Sequence, residues 1–316
     1  MNAGVGDMPR HRPVLYQETL SYLAPFSPGK YLDCTAGAGG HASGILEASA
    51  PQGRLLALDL DPHAVALTSA RLAVFGERAV VRQGSYLHSR EYLQDLGWGK
   101  VDGILLDLGV SSMQLDEASR GFSFRQEGPL DMRFDPGSGT SAADLVNHLE
   151  ERELADILWK YGEERFSRRV AKAIVRARPL ATTAELAGVV RSALGRTKEA
   201  QDPATRTFQA LRIAVNNELA VITEAVPRLI ALLQPSARIA VISFHSLEDR
   251  IIKQCFRRES QDCICPPEQP VCTCGHRASI KIITPHPVEA GETEKMENPR
   301  ARSAKLRVAA KLMEMA

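Results

Sequence analysis

Between residues 31 and 108, short apolar runs alternate with helix-like stretches, and this rhythm restricts the chain to a few architectures. Tyr31–Cys34 is a short apolar run that ends in glycine-rich residues, followed by a helix-like stretch from about His41 to Ala48. Leu55–Leu60 reads as a second strand. Pro62 then opens a helix through Phe75, proline being favoured in a first helical turn. Ala79–Arg82 is a third strand, and Val101–Leu108 is a fourth, long and apolar enough to be buried on both faces. Repeated β-α units joined by short loops imply an α/β fold on a mainly parallel, doubly wound sheet.

The rhythm then breaks. Gly109 to Asp135 is rich in Gly, Ser, Asp and Pro without a sustained period, and reads as an ordered loop. From Ala142 to about Gly195 the patterns are helical throughout; alternation resumes with a helix from Phe208, a strand at Arg238–Phe244 and a helix from Leu247. At 316 residues the chain is long for one domain and short for two, which favours one large core carrying an insertion. The expected organisation is a mobile tail over 1–12, an α/β core over 13–111 and 208–316, and a helical insertion over 112–207. No internal repeat is present.

Composition excludes little but bounds the setting. A hydrophobic fraction of 44% suits a buried core, and a net charge of +1 means that nucleic-acid contact must come from local basic clusters. Apolar runs such as Leu229–Leu233 are too short to span a bilayer, and Met1 to Arg12 lacks the apolar stretch of a secretory signal. Six cysteines, four of them between Cys263 and Cys274, do not form a secreted disulfide framework. A cytoplasmic protein with no membrane partner is expected; oligomeric state is not readable.

Asp33-Cys34-Thr35-Ala36-Gly37-Ala38-Gly39-Gly40-His41 follows the first strand and opens the first helix. Glycines let the backbone approach a ligand, and a helix start offers unpaired N–H groups. Gly37-x-Gly39-x-x-Ala42, with Asp59 about 20 residues on, also fits a nicotinamide-dinucleotide loop. Two features favour S-adenosylmethionine instead. Asp33 sits four residues before the first glycine, where it suits an ammonium rather than a pyrophosphate. The fourth strand ends in Asp107 beside Gly109, at the carboxyl edge where open α/β sheets bind ligands. The bland alternative is that Asp59 and Asp61 cap the following helix. His41 either faces the cofactor or is a polar residue of the first helical turn.

With these residues in hand, the chain resembles the bacterial methyltransferases that modify N4 of a cytidine in the decoding region of 16S ribosomal RNA. His11–Leu15 and Asp33–His41 resemble that family's N-terminal motif and cofactor loop. Val101–Asp116, Arg120–Phe124, Gly128–Arg133, Tyr161–Glu164, Ala204–Ile213, Ser243–Arg250 and Asn298–Arg307 extend the match over nearly the whole chain. The resemblance implies a Rossmann-like class I methyltransferase sheet, S-adenosylmethionine as cofactor, and cofactor contacts at Gly39, Gly40, His41, Asp59, Tyr86, Asp107 and Gln114. Tyr86 stands where Phe is usual and Met113 where Pro is common.

Methylating an exocyclic cytosine amine requires in-line placement of a weakly nucleophilic nitrogen, an acceptor for its hydrogens, and a pocket for an unstacked base. Asp107, with Ser111 in the turn behind it, is the candidate acceptor site; orienting the cofactor is its alternative role. Phe244 and His245, at the end of the fifth strand, are read as stacking on the base and hydrogen-bonding it, while a core position is the plain alternative for Phe244. Glu248 and Asp249 are read as starting the next helix, where acids complement the dipole.

Two basic clusters are candidate RNA surfaces. Arg165, Arg168, Arg169, Lys172 and Arg176 recur at three- and four-residue steps on one helix side, and Arg300, Arg302, Lys305, Arg307 and Lys311 crowd the C-terminal segment. A solvated face is the alternative for both, and Leu306 and Val308 also fit a final strand. In the Arg120–Arg133 loop, Phe122 and Phe124 beside Arg125 and Arg133 suggest a lid over an extruded nucleotide. Cys263, Cys265, Cys272 and Cys274 are assigned no metal; reduced structural thiols and a zinc site both remain open. The expected partner is small-subunit ribosomal RNA within an assembled or late-stage subunit. Rival readings are an RNA-binding assembly factor with a vestigial cofactor site and a nicotinamide-dependent oxidoreductase, which would need a second catalytic domain.

Overall fold

A computed structural model describes residues 13–195, 202–269 and 271–313, so the tail expected over 1–12 lies outside the described residues. Within it the chain divides into two compact units, one running up to Gly109 and resuming at Ile222, the other Val110–Val221.

The first unit carries the sheet. Its strands are β1 (Lys30–Asp33), β2 (Arg54–Asp59), β3 (Ala79–Gln83), β4 (Val101–Asp107), β5 (Leu233–Ser243), β6 (Ile280–Ile282), β7 (Val288–Glu289) and β8 (Lys305–Lys311). They pair in the order β3-β2-β1-β4-β5-β8-β6, with β7 off the path on β8. The strands β1 to β5 are mutually parallel; β8 runs antiparallel to β5 and β6 antiparallel to β8. Successive residues of β4 point to opposite faces, as strand geometry demands. Ile104 and Leu106 join one apolar cluster with Leu32, Leu56 and Val241. Leu105 joins the other with Tyr31, Leu55 and Ile242. Helices cover both faces, so the expected doubly wound α/β sheet is present.

In the first segment α1 (Tyr16–Leu23) precedes β1, and α2 (Gly40–Ala48), α3 (Pro62–Leu72) and α4 (Ser89–Asp95) follow successive strands. The path reverses between β1 and β4, because β2 and β3 extend one way from β1 and β4 and β5 the other. That reversal opens a crevice at the carboxyl ends of β1 and β4, the place where open sheets hold ligands.

The second unit is helical. After the short α5 (Ser112–Asp116) come α6 (Ala142–His148), α7 (Glu151–Gly162), α8 (Ser167–Ala177), α9 (Thr183–Leu194) and α10 (Ala204–Asn216). Capping boxes start α6, α7 and α9, at Ser141/Asp144, Glu150/Glu153 and Thr182/Glu185. Their apolar faces share one cluster, in which Leu154, Leu158, Ile174, Leu186 and Leu211 are fully buried. A Cβ on Gly162 would come within 2.6 Å of the Arg206 carbonyl, so only glycine lets the end of α7 lie this close to α10. The sequence reading returned the chain to the core at residue 208. In the structure α10 stays in the helical unit, because Phe208, Ala210 and Leu211 complete that unit's core.

The sheet unit resumes within α11 (Glu218–Ala231), and α12 (Ser246–Glu259) and α13 (Glu292–Glu297) complete the helices. The strand β5 starts earlier than expected from Arg238: its pairing with β4 jumps from Leu233 to Arg238, with Ser236 at φ 68 in the bulge between. Leu306 and Val308 do lie in a final strand, β8.

Candidate cofactor and active site

The loop after β1 builds the floor of the crevice. Gly37 and Gly39 take φ of 54 and 75, a left-handed conformation that residues with a Cβ rarely adopt. A Cβ on Gly37 would meet nothing within 4 Å, so the loop presents bare backbone to open space. Asp59, at the end of β2, holds this loop. One of its oxygens accepts from the Gly37 N–H at 2.8 Å and the other from the Asp61 N–H at 2.9 Å. A carboxylate has roughly four acceptor sites, so capacity for ribose hydroxyls remains. The capping role belongs to Asp61, which accepts from the His63 N–H at the start of α3.

Asp33 is buried at the end of β1. Its Oδ1 accepts from the Thr35 N–H at 3.1 Å, while Oδ2 has no hydrogen-bond partner. Burial, reinforced by the neighbouring Asp59 charge, pushes this carboxyl up to about 7. Asp107, at the end of β4, is raised too, first by burial and then by the charges of Asp33 and Glu248. About a quarter of its side chain, 27%, stays accessible, which tempers the burial effect, and Oδ1 again lacks a partner. Two partnerless carboxylate oxygens at one sheet edge are expensive unless a cation meets them. An ammonium and a sulfonium supply that cation, whereas a pyrophosphate would worsen the repulsion; the residues present therefore fit S-adenosylmethionine.

His41 lies in the first turn of α2, buried, stacked on Tyr16 with ring centroids 5.9 Å apart. Burial drives its pKa down to about 4, so it is neutral near pH 7. Its Nε2 stands 3.7 Å from Asp107 Oδ2, a contact that is therefore not an ion pair. Gly39 is the N-cap of α2 and Gly40 its first residue. Tyr86, half-buried in a turn beyond the carboxyl end of β3, packs against the core cluster of Leu56 and Leu58.

On the other side of β4, the ring of Phe244 lies against Gly109: a Cβ there would be 3.6 Å from Phe244 Cδ2. The half-buried Phe244 is only partly core. His245 is the N-cap of α12, its Nδ1 accepting from the Glu248 N–H at 3.4 Å, with Nε2 3.1 Å from Glu248 Oε1. In return the fully buried Glu248 accepts from the Phe244 N–H at 2.8 Å. The ring expected to hydrogen-bond a base is turned to its own helix start instead. The spacing His245-x-x-Glu248 is a capping-box pattern and was available as a signal. The placement of Glu248 and Asp249 in the first turn of α12 follows the sequence reading.

In the helical unit, Ser111 and Gln114 form another capping box, each side chain meeting the other's backbone N–H, at 3.2 and 3.0 Å. Phe122 and Phe124 do not stand out as stacking surfaces. Phe122 stacks on Phe134 at 5.6 Å and Phe124 meets Phe208 edge-on at 4.9 Å, both within the unit's apolar cluster. Their large apolar area gains more from burial than from exposure, and this corrects the reading of them as nucleotide platforms.

The basic helix keeps most of its face: Arg168, Arg169, Lys172 and Arg176 of α8 are exposed while Val170, Ala171 and Ile174 are buried, but Arg165, also exposed, lies in the turn before α8 and not on the helix side where the sequence reading put it. Phe166 and Trp159, in the same unit and absent from the sequence reading, are 59% and 60% exposed. The C-terminal cluster is divided: Arg307 is buried against Asp249 at 2.6 Å, and Lys305 approaches the same carboxylate at 3.8 Å. Arg302 is exposed and Arg300 half-buried, both in a turn before β8.

The comparisons with known proteins bear on this site. Residues 8–312 match the model of the MraW methylase family. The chain is 50% identical over 308 residues to ribosomal RNA small subunit methyltransferase H of Heliobacterium mobile, covering 96% of this chain and 99% of that protein. It is 52% identical over 307 residues to the protein of the same description from Geobacter sulfurreducens, covering 96% and 99%. Among solved structures it has a distant likeness to an rRNA methylase from Streptococcus thermophilus, with TM-score 0.44, 9% identity, and 98% and 100% coverage.

Proposed function

The chain belongs to the MraW methylase family, and from that membership we propose that it methylates N4 of a cytidine in the decoding region of 16S ribosomal RNA. It is an S-adenosylmethionine-dependent methyltransferase acting on small-subunit ribosomal RNA. The observation that carries the site assignment is the pair of carboxylates, buried Asp33 and half-buried Asp107, each with a partnerless oxygen at the reversal point of the sheet.

Bound S-adenosylmethionine supplies an electrophilic methyl on a cationic sulfur. Asp33 pairs with its ammonium, Asp59 takes ribose hydroxyls, Tyr86 stacks on adenine, and Gly39, Gly40, His41 and Gln114 complete the contacts. Phe244 stacks on the extruded cytosine. With that methyl donor in place, Asp107 would face the N4 amine and would take the proton that the nitrogen releases on methylation. Asp107 is raised to about 8, so it accepts in its ionised form, which the positive charge of a bound cofactor would favour. Ser111 and His245 act by position, each fixing its own turn through a capping box. Phosphates are held by Arg165, Arg168, Arg169, Lys172 and Arg176, with Arg300 and Arg302 adding contacts. A large helical unit recognises more than one base, so the substrate is a small subunit in the cytoplasm, assembled or nearly so, rather than naked RNA.

The test is transfer from labelled S-adenosylmethionine to small subunits lacking the modification, followed by nucleoside mass analysis. N4-methylated cytidine, lost with Asp107→Ala, is the expected result. Label on another nucleoside, or none despite cofactor binding, would overturn the substrate assignment. Asp107→Ala that still turns over would remove Asp107 from the proton path.

A further inference from the structure

Between α12 and β6, the described residues of 261–279 form no helix or strand, and none of them is buried. Their apolar side chains point outward: Ile264 and Val271 are 38% and 69% exposed. Structureless segments of this length inside a compact domain need an anchor other than a hydrophobic core. Here the groups that converge are four sulfurs.

The Sγ atoms of Cys263, Cys265, Cys272 and Cys274 all lie within 4.8 Å of one another. Cys263–Cys272, Cys272–Cys274 and Cys263–Cys274 are separated by 3.4, 3.6 and 3.9 Å. Four sulfurs bound at about 2.3 Å to one tetrahedral zinc would sit about 3.8 Å apart. The backbone is arranged for negative sulfur as well. The N–H groups of Ile264 and His276 point at Cys274 Sγ at 3.5 and 3.4 Å, and that of Cys265 points at Cys263 Sγ at 3.4 Å. His276 is not part of the cluster of ligand atoms, and its Nε2 lies 2.9 Å from the Arg258 carbonyl.

We propose that Cys263, Cys265, Cys272 and Cys274 hold one structural zinc ion that staples the segment between α12 and β6. Four thiolates close the coordination sphere, leaving no position for a substrate or water, so the ion is not catalytic. Its place in the fold agrees. The strand β6 runs antiparallel to β8, which runs antiparallel to β5, so β6 is parallel to β5 and is entered from its amino end. The staple thus sits at the edge of the sheet opposite the carboxyl ends that carry Asp33 and Asp107.

The full chain, purified without an affinity tag or chelator, tests this by elemental analysis and thiol counting. One zinc per chain is expected, with the four cysteines resistant to alkylation until the metal is removed. Cobalt(II) added to the stripped, reduced protein is expected to give the absorption bands of a tetrahedral tetrathiolate site. Cys272→Ser/Cys274→Ser is expected to lose both metal and bands and to become cleavable by trypsin at Arg277, while binding S-adenosylmethionine as the parent does. Failure of the reduced parent protein to take up zinc or cobalt would overturn the proposal. So would a disulfide among the four cysteines in protein alkylated at lysis, or mononuclear iron in place of zinc.

Discussion

The Thr35 hydroxyl accepts the backbone N–H of Asp107 at 2.6 Å, tying the loop after β1 to the end of β4. Thr35 lies outside the strands and carries no charge, yet it fixes where the Asp107 carboxylate begins.

Thr35→Val removes this acceptor while preserving shape. An unsatisfied buried N–H costs about 1–3 kcal/mol, and Asp107 loses its register. Expected are a modest fall in melting temperature and a larger fall in kcat at saturating cofactor, with Thr35→Ser restoring most of both. Unchanged kcat for Thr35→Val would show that the tie does not position Asp107.

Asp33 links cofactor binding to pH. Its carboxyl titrates at about 7 when folded and near the ordinary carboxylate value when unfolded, so the folded state binds the extra proton between these limits. Its contribution to stability is therefore present at low pH and lost as pH rises through about 7. His41, depressed to about 4, acts in the opposite sense over much of the same window. Comparison with Asp33→Asn isolates the Asp33 contribution. The variant without cofactor is expected to melt higher than the parent at pH 8 and nearly equally at pH 4, by calorimetry. A bound ammonium favours the ionised carboxylate, so below pH 7 parental affinity should weaken by up to about tenfold for each unit that the pH falls. Asp33→Asn should bind weakly and lose that dependence; a retained slope would place the proton elsewhere.

His245→Asn separates a cap from a base contact. Asparagine is a strong N-cap, so a capping role predicts stability and kcat near the parent, whereas His245→Ala should lose about 1 kcal/mol. If the imidazole instead touches the cytosine, His245→Asn will melt normally and fail in methyl transfer.

Arg168→Ala/Arg169→Ala removes two exposed cations from α8 without touching its buried face. The expected result is a raised KM for small subunits and a salt dependence of binding shallower by about one to two in log–log slope, with cofactor affinity unchanged. An unaltered KM and slope would leave α8 a solvated surface.

Much of the site was legible because its chemistry is local. Asp33, the glycine turn and Asp59 sit at strand ends, and a strand end beside a glycine turn is visible in one dimension. The partners that orient them were not. Thr35 and Asp107 are 72 residues apart, and the Tyr16–His41 stack joins two helices across β1. Sequence spacing also misled where burial decided the outcome. Phe122 and Phe124 read as platforms from their basic neighbours, yet they fill the helical core. Arg307 read as a free cation, yet it is buried on Asp249.

The sequence alone determined the parallel α/β core, the helical interruption and the acids of the crevice, because apolar periodicity and turn residues act over a few positions. Only the tertiary structure decided that α10 stays with the helical unit and that His245 turns toward Glu248. It alone decided that four cysteine sulfurs come within 4.8 Å of one another. Each of those outcomes depends on which surface a residue buries against. That surface is supplied by segments distant in the chain, to which neighbour-by-neighbour spacing carries no reference.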